Sequence, residues 1–219
     1  MPTGFQSITD SGILQIDENY SAMSLIQAPT ITINSYPSMT YYDIAGINPM
    51  CFLGNTGGGY VVGISRQSIG TNVWRFGFMA SGGVSVKLYF FDKGPVTAGN
   101  SGLQVFSSAG ELIYDSGNVV MSLVAVYQVS GGGSNSFTPP QNGRTHAAAL
   151  SFSRSYVEQR PISHAPWDAY QEGLYVTSTQ LTTNWVKTYS VGGEDPGSWR
   201  RDPDNSAPPQ VLVVDVTSL

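Results

Sequence analysis

The residues able to do chemistry are few in this chain and stand far apart. Histidine occurs twice, at His146 and His164, and neither belongs to an HxH, HxxxH or Cys/His pattern of the kind that holds a metal. The one cysteine, Cys51, lies in the apolar run INPMCFLG and is expected as a small buried hydrophobe. A single thiol excludes an internal disulfide framework and a multi-cysteine zinc site. Carboxylates pair locally at Asp168 with Glu172, Glu194 with Asp195, and Asp202 with Asp204, the arrangement from which a polysaccharide hydrolase draws its acid and base. Each pair sits in a polar stretch where solvated charge is the plainer role. The run DPDN at Asp202 to Asn205 lacks the glycine and distal glutamate of an EF-hand loop. No GxSxG elbow surrounds a serine, and VGISR around Ser65 reads as a strand continuing into a turn. GNTGGGY, Gly54 to Tyr60, has neither the lysine nor the following helix of a phosphate loop. No catalytic residue, metal ligand or cofactor is assigned, and the chain is read as a non-enzyme.

What remains is recognition. Flat aromatic faces and guanidinium groups concentrate in the C-terminal third, and these are the side chains that anchor protein interfaces and stack on sugar rings. Trp167, Tyr170, Trp199, Arg200 and Arg201 are the candidate partner or receptor contacts. Trp199, inside the polar run DPGSWRRDPD, is the best placed of them, whereas Tyr175 and Trp185 read as core residues of strands.

Composition narrows the partner. Charged residues make up 11% of the chain, against roughly 25% in ordinary soluble proteins. Gly, Ser, Thr, Asn and Gln carry most of the polarity, so the surface is neutral and hydrogen-bonding. Such a surface resists association weakly and suits a protein packed against other subunits. A net charge of −5 with scattered basic residues argues against nucleic acid. The start MPTGFQSITD has no signal-peptide pattern, and VVMSLVAVY is far short of the roughly 20 apolar residues of a membrane span. The expectation is a chain made in a cytoplasm, not inserted in a membrane.

The elements that must position these groups are strands. Runs rich in Val, Ile, Thr, Tyr, Phe and Trp recur along the whole chain, separated by Gly, Pro, Asn and Asp. No stretch sustains helical periodicity; the best candidate is one turn from Trp167 to Glu172. The predicted fold is all-β, an antiparallel β-sandwich or jelly-roll-like architecture with very little helix. Residues 1–130 are assigned to a sandwich, 131–145 (beginning at the glycines of SGGGSNSFTPPQNGR, Ser130 to Arg144) to a linker or long loop, and 146–219 to a β-rich part that either stands apart or completes the same sandwich.

One phrase is said twice. GFQSITDSGILQID at Gly4 to Asp17 and GLQVFSSAGELIYD at Gly102 to Asp115 align without a gap, placing Gly4, Gln6, Gly12, Leu14 and Asp17 on Gly102, Gln104, Gly110, Leu112 and Asp115. Both read as β-hairpins, at 4–17 and 102–117, in which Gly12 and Gly110 supply a left-handed residue and Asp17 and Asp115 cap the next turn. Two equivalent hairpins are expected, with the two facing sheets of the sandwich as their places. No repeat is found in the strands between them, so the sequence points to a doubled hairpin and not a doubled module.

GLQVFSSAGELIYDSG resembles a phrase recurring in small proteins encoded among the tail genes of tailed bacteriophages and prophages, and GFQSITDSGILQIDENYSAMSLI is similar to the opening of the same group. The resemblance covers about the first 130 residues, and no catalytic residues come with it. It implies a virion structural protein of the tail tip, baseplate or tail fibre, assembled in the host cytoplasm among other tail proteins. A homo-oligomer, with three-fold symmetry favoured, and a further role in host attachment would follow; the first alternative is a receptor-binding protein that recognises a host surface glycan or pilus through Trp199, Arg200 and nearby aromatics. A surface polysaccharide depolymerase is the remaining alternative.

Overall fold

Alternation of apolar side chains builds the central strands. In VSVKLYFFD, Val84, Val86, Leu88 and Phe90 turn to one side while Tyr89 and Phe91 turn to the other, so both faces of that strand are buried. The computed structural model describes residues 7–8, 14–16, 23–93, 102–107, 109–131, 134–140, 143–159, 167–191, 208–217 and 219. In chain order the strands are β1 (Ser7–Ile8), β2 (Leu14–Ile16), β3 (Ser24–Gln27), β4 (Thr30–Ile33), β5 (Thr40–Ala45), β6 (Met50–Leu53), β7 (Val61–Gly70), β8 (Val73–Ala80) and β9 (Val84–Asp92). Then follow β10 (Gln104–Phe106), β11 (Leu112–Asp115), β12 (Ser122–Gln128), β13 (Asn135–Phe137), β14 (His146–Leu150), β15 (Ser155–Gln159), β16 (Trp167–Val176), β17 (Leu181–Val191) and β18 (Gln210–Asp215).

Two seven-stranded antiparallel sheets form a β-sandwich, as the strand pattern predicts. The first runs β12-β18-β14-β6-β9-β3, with β4 also on β9; the second runs β13-β17-β16-β7-β8-β5, with β15 also on β16. Ile33, Leu88, Phe90, Val211 and Val213 of the first sheet meet Val61, Phe76, Leu174 and Leu181 of the second in the main core. The expected helical turn at Trp167 to Glu172 is instead the first half of β16, since Tyr170, Glu172, Leu174 and Val176 share one face at a period of two. Strand β7 likewise runs on past Ser65 to Gly70, where a turn was expected. Residues 131–145 contain β13, which pairs with β17 from Asn135↔Thr183 to Phe137↔Leu181.

The architecture is one motif built twice. In the first half, β9 lies between β3/β4 and β6, and β8 lies between β5 and β7; in the second, β18 lies between β12 and β14, and β17 lies between β13 and β16. The order along the chain is the same in both, with β3 and β4 together matching β12, and among the described strands β15 is the one without a counterpart. Registers agree as well. Ser24 pairs with Asp92 and Leu25 with Phe91; Ser122 pairs with Asp215 and Leu123 with Val214; in each case the ladder then slips by a residue. Met23-Ser24-Leu25 and Met121-Ser122-Leu123 stand 98 positions apart, the same spacing as the doubled hairpin. The repeat is therefore a module, and the expectation of a lone repeated hairpin is corrected.

The halves join through equivalent strands. Leu53 of β6 pairs with Ala148 of β14, and Val61 of β7 pairs with Leu174 of β16. Residues 119–121, which lead into β12, pair with β3 through Ser24↔Val120, with Leu25 N donating to Val119 O at 2.8 Å and Met121 N to Met23 O at 2.8 Å. The first sheet thereby returns to its starting strand as a ring. On the face turned from the second sheet lies a separate cluster: Phe52, Tyr89 and Phe91 from one half, Ala147, Val214 and Val216 from the other, with Met23 and Met121 against them.

The hairpins β1-β2 and β10-β11 share a register. Ser7↔Ile16 and Ile8↔Leu14 correspond to Val105↔Tyr114 and Phe106↔Leu112, and both ladders slip at the same step. Each makes its own two-stranded sheet, not a place in the facing sheets: the ladder hydrogen bonds of each hairpin run between its own two strands. In the second hairpin Gly102 has φ +118°, where a Cβ would strike Ser116 Oγ, and Gly110 has φ +80°. Gln104 Nε2 donates to Asp115 Oδ2 at 2.8 Å, and Asp115 Oδ1 accepts the Gly117 amide at 2.7 Å. Four of the five recurring residues thus have a definite task in closing the hairpin.

Phe52 is fully buried at the centre of the ring and meets Phe91 edge-on, with centroids 5.8 Å apart. Phe52→Ala is expected to cost about 3–5 kcal/mol in urea unfolding. Phe152→Ala, at a position 42% exposed, should leave the midpoint nearly unchanged.

Candidate functional site

The proposed contact residues do not converge. Trp167 and Tyr170 stand three apart on β16 and face opposite sides of the sheet. Tyr170 stacks on Tyr156 at 4.9 Å, and Tyr156 meets Trp185 edge-on at 4.6 Å. Trp167 is buried with its Nε1 unpartnered. Trp199, Arg200 and Arg201 lie outside the described residues, as do His164, Glu194, Asp195, Asp202 and Asp204.

The carboxylates a hydrolase would use are engaged in β16. Glu172 is fully buried and forms a two-pronged ion pair with Arg154, Nε to Oε2 and Nη2 to Oε1, both 2.9 Å. The same Arg154 donates from Nη2 to Gly131 O at 2.5 Å, and its carbonyl accepts the Glu172 amide at 2.9 Å. Asp168 is buried against Lys187 Nζ at 2.6 Å and accepts the Ser190 hydroxyl at 2.7 Å. Among the described residues no group of three or more His, Cys, Asp or Glu side chains could hold a metal ion.

The Arg154 clamp has a consequence for the join between the halves. Continued from Val61↔Leu174, an antiparallel ladder would set Ile64 opposite Gln171, but Gln171 is paired with Ser155 of β15. Strand β7 therefore parts from β16, and in the other sheet β6 and β14 are paired only at Leu53↔Ala148. Between these partings a cleft of about 380 Å³ opens, walled by Leu53, Val61, Phe78, Leu150 and Leu174. Cys51 lines it too, partly buried as a small apolar side chain, and burial pushes its thiol up. Arg66 is the one charged side chain in the walls. Its guanidinium lies 4.2 Å from the Trp74 ring centroid and 5.9 Å from that of Phe76, and Nη2 donates to Asn48 Oδ1. Arg75, Arg144 and Arg154 each face a carboxylate; Arg66 faces none among the described residues.

The second hairpin offers a different surface. Val105 and Asp115 are buried, whereas Leu103 is 48% and Phe106 50% exposed. Two large apolar side chains on one short, hydrogen-bonded hairpin are a contact surface of the kind that protein interfaces use.

Sequence reasoning missed both Arg66 and the Arg154–Glu172 pair. Arg66 lay in VGISR with nothing local to mark it, and the ion pair joins residues 18 positions apart across a strand edge. No family model matches this chain, and no curated protein or solved structure matches it.

His146 is buried at the start of β14 with both ring nitrogens unpartnered. Burial holds its pKa below the ordinary 6.5; the neighbouring Asp215 acts against that shift and Arg144 with it. Burial alone would raise the pKa of Asp215, but hydrogen bonds from the Thr217 hydroxyl, Arg144 and the Thr217 amide outweigh it and hold the carboxyl down to about 2.

Two outcomes follow. Removing one member of a buried ion pair strands the other, so Glu172→Gln should cost about 3–5 kcal/mol, while Arg154→Met with Glu172→Leu should cost far less in the same denaturant titration. For His146, the unfolded chain binds a proton at higher pH than the folded one. Stability should be complete above pH 6.5 and fall as pH drops from there toward the lower folded pKa. In His146→Leu the slope of stability against pH in that window should shrink.

Proposed function

We propose that this chain is a non-enzymatic structural protein of a bacteriophage tail, of the tail tip, baseplate or fibre region, which holds neighbouring subunits together. The observation that carries the reading is the doubled hairpin. One short hydrogen-bonded unit stands at the head of each half, in a two-stranded sheet of its own, and the second copy presents Leu103 and Phe106 to solvent. An element that adds nothing to either sheet yet is built twice at one register fits a docking role. A chain with only 11% charged residues supports the same reading, since like-charge repulsion between subunits is weak. So does the resemblance of both hairpin segments to phage tail proteins. Assembly would take place in the host cytoplasm, in a homo-oligomer with three-fold symmetry favoured, and attachment to a host surface would be a further role of the assembled tail.

Size-exclusion chromatography with light scattering tests it. The expected result is an oligomer, and association with other tail components weakened about tenfold or more by Leu103→Asp with Phe106→Asp. Thermal unfolding of that variant should match the parent, because both side chains are exposed. A monomer at high concentration that binds no tail component would overturn the proposal.

A further inference from the structure

We propose that the cleft between β7 and the β14–β15 connection is a binding site for a small apolar carboxylate, with Arg66 as its anchor. The cleft of about 380 Å³ falls within the usual range for small-ligand sites, and its walls are mostly aliphatic and aromatic, with Ser65, Ser151 and Ser153 as neutral polar side chains among them. A site of that lining takes a hydrocarbon body. Its single charged group sets the sign of the head. Arg66 carries five N–H donors, of which one bond to Asn48 is made, and no carboxylate of the described chain faces it. The guanidinium is held over Trp74 and beside Phe76, and Asn48, whose side-chain Oδ1 accepts from it, is itself tied down by its backbone N–H, which donates to Asp92 Oδ1 at 2.9 Å. Arg66 is exposed, but these contacts orient its guanidinium in the free protein, and a planar fork with free donors matches a carboxylate by two parallel hydrogen bonds. Three of the four arginines in the described residues are neutralised by an acid in a chain of net charge −5; the fourth stands at this cleft. The cleft exists because β15, the strand without a counterpart, holds β7 away from β16.

The probe is octanoate, with octan-1-ol and octylammonium as isosteric controls, titrated below micelle formation by calorimetry and by tryptophan emission, since Trp74 lies under the anchoring guanidinium. Octanoate should bind at one site and perturb the emission, octan-1-ol should bind about tenfold or more weakly, and octylammonium should not bind. Arg66→Met keeps an apolar stem over Trp74 and should bring octanoate down to the level of octan-1-ol. Leu150→Trp fills the cleft and should abolish both. Equal affinity for octanoate and octan-1-ol in the unmodified protein, absence of saturable octanoate binding, or unchanged octanoate binding in a folded Arg66→Met would each overturn the proposal. Oligomeric state is untouched by this test, so its failure leaves the tail-assembly reading standing.

Discussion

Antiparallel seams between equivalent strands hold this molecule together, and two of them lie in the first sheet. At one, Leu53 pairs with Ala148, and that register extended by a residue sets Phe52 opposite Ala149, its own counterpart in the other half. At the other, Ser24 pairs with Val120, which sets Met23 opposite Met121, again a residue opposite its counterpart. A pseudo-two-fold axis therefore crosses the ring at both seams. Each half alone would leave strand edges bare and an apolar face open to water, and the pairing of like with like removes both liabilities at once. The same logic joins the subunits of a symmetric dimer, here within one chain.

Symmetry fails at one place, and the failure has a physical cause. The buried Arg154–Glu172 pair, tied also to Gly131 O, fixes β15 along the edge of β16 that β7 would otherwise extend. A buried ion pair is a poor way to gain stability, because the desolvation of two charges offsets most of their attraction. It is a good way to specify which strand lies on that edge, since any other neighbour would leave Glu172 uncompensated. The cost is an unfilled space between the halves, and Arg66 stands at it.

How much of this was legible in the sequence follows from what each part demands. The hairpin was readable because closing it needs particular atoms: Gly102 and Gly110 for backbone conformations that a Cβ opposes, Gln104 and Asp115 for a cross-strand hydrogen bond. Those identities recur and can be aligned. The remaining strands of the module were invisible as a repeat because a sandwich asks only for an apolar residue on the right face. Phe90 and Val213 share the main core, as Phe91 and Val214 share the ring cluster, without sharing a letter. The candidate site was not legible either. Arg66 differs from the other arginines only in what the fold places near it, and a cleft made by the divergence of two ladders has no local signature.

The divergence of the two halves is itself constrained by volume. In the ring cluster, Met50, Phe52, Tyr89 and Phe91 come from the first half, and their counterparts in the second, by strand register, are Ala147, Ala149, Leu212 and Val214. Large residues on one side of the axis are matched by small ones on the other. Two like copies would set phenylalanine against phenylalanine at the seam, and a closed ring of strands cannot widen to admit them without losing its pairing. Complementary sizes fill the same interior at native density. A chain of this design can no longer exchange its halves: each has become the partner that only the other fits.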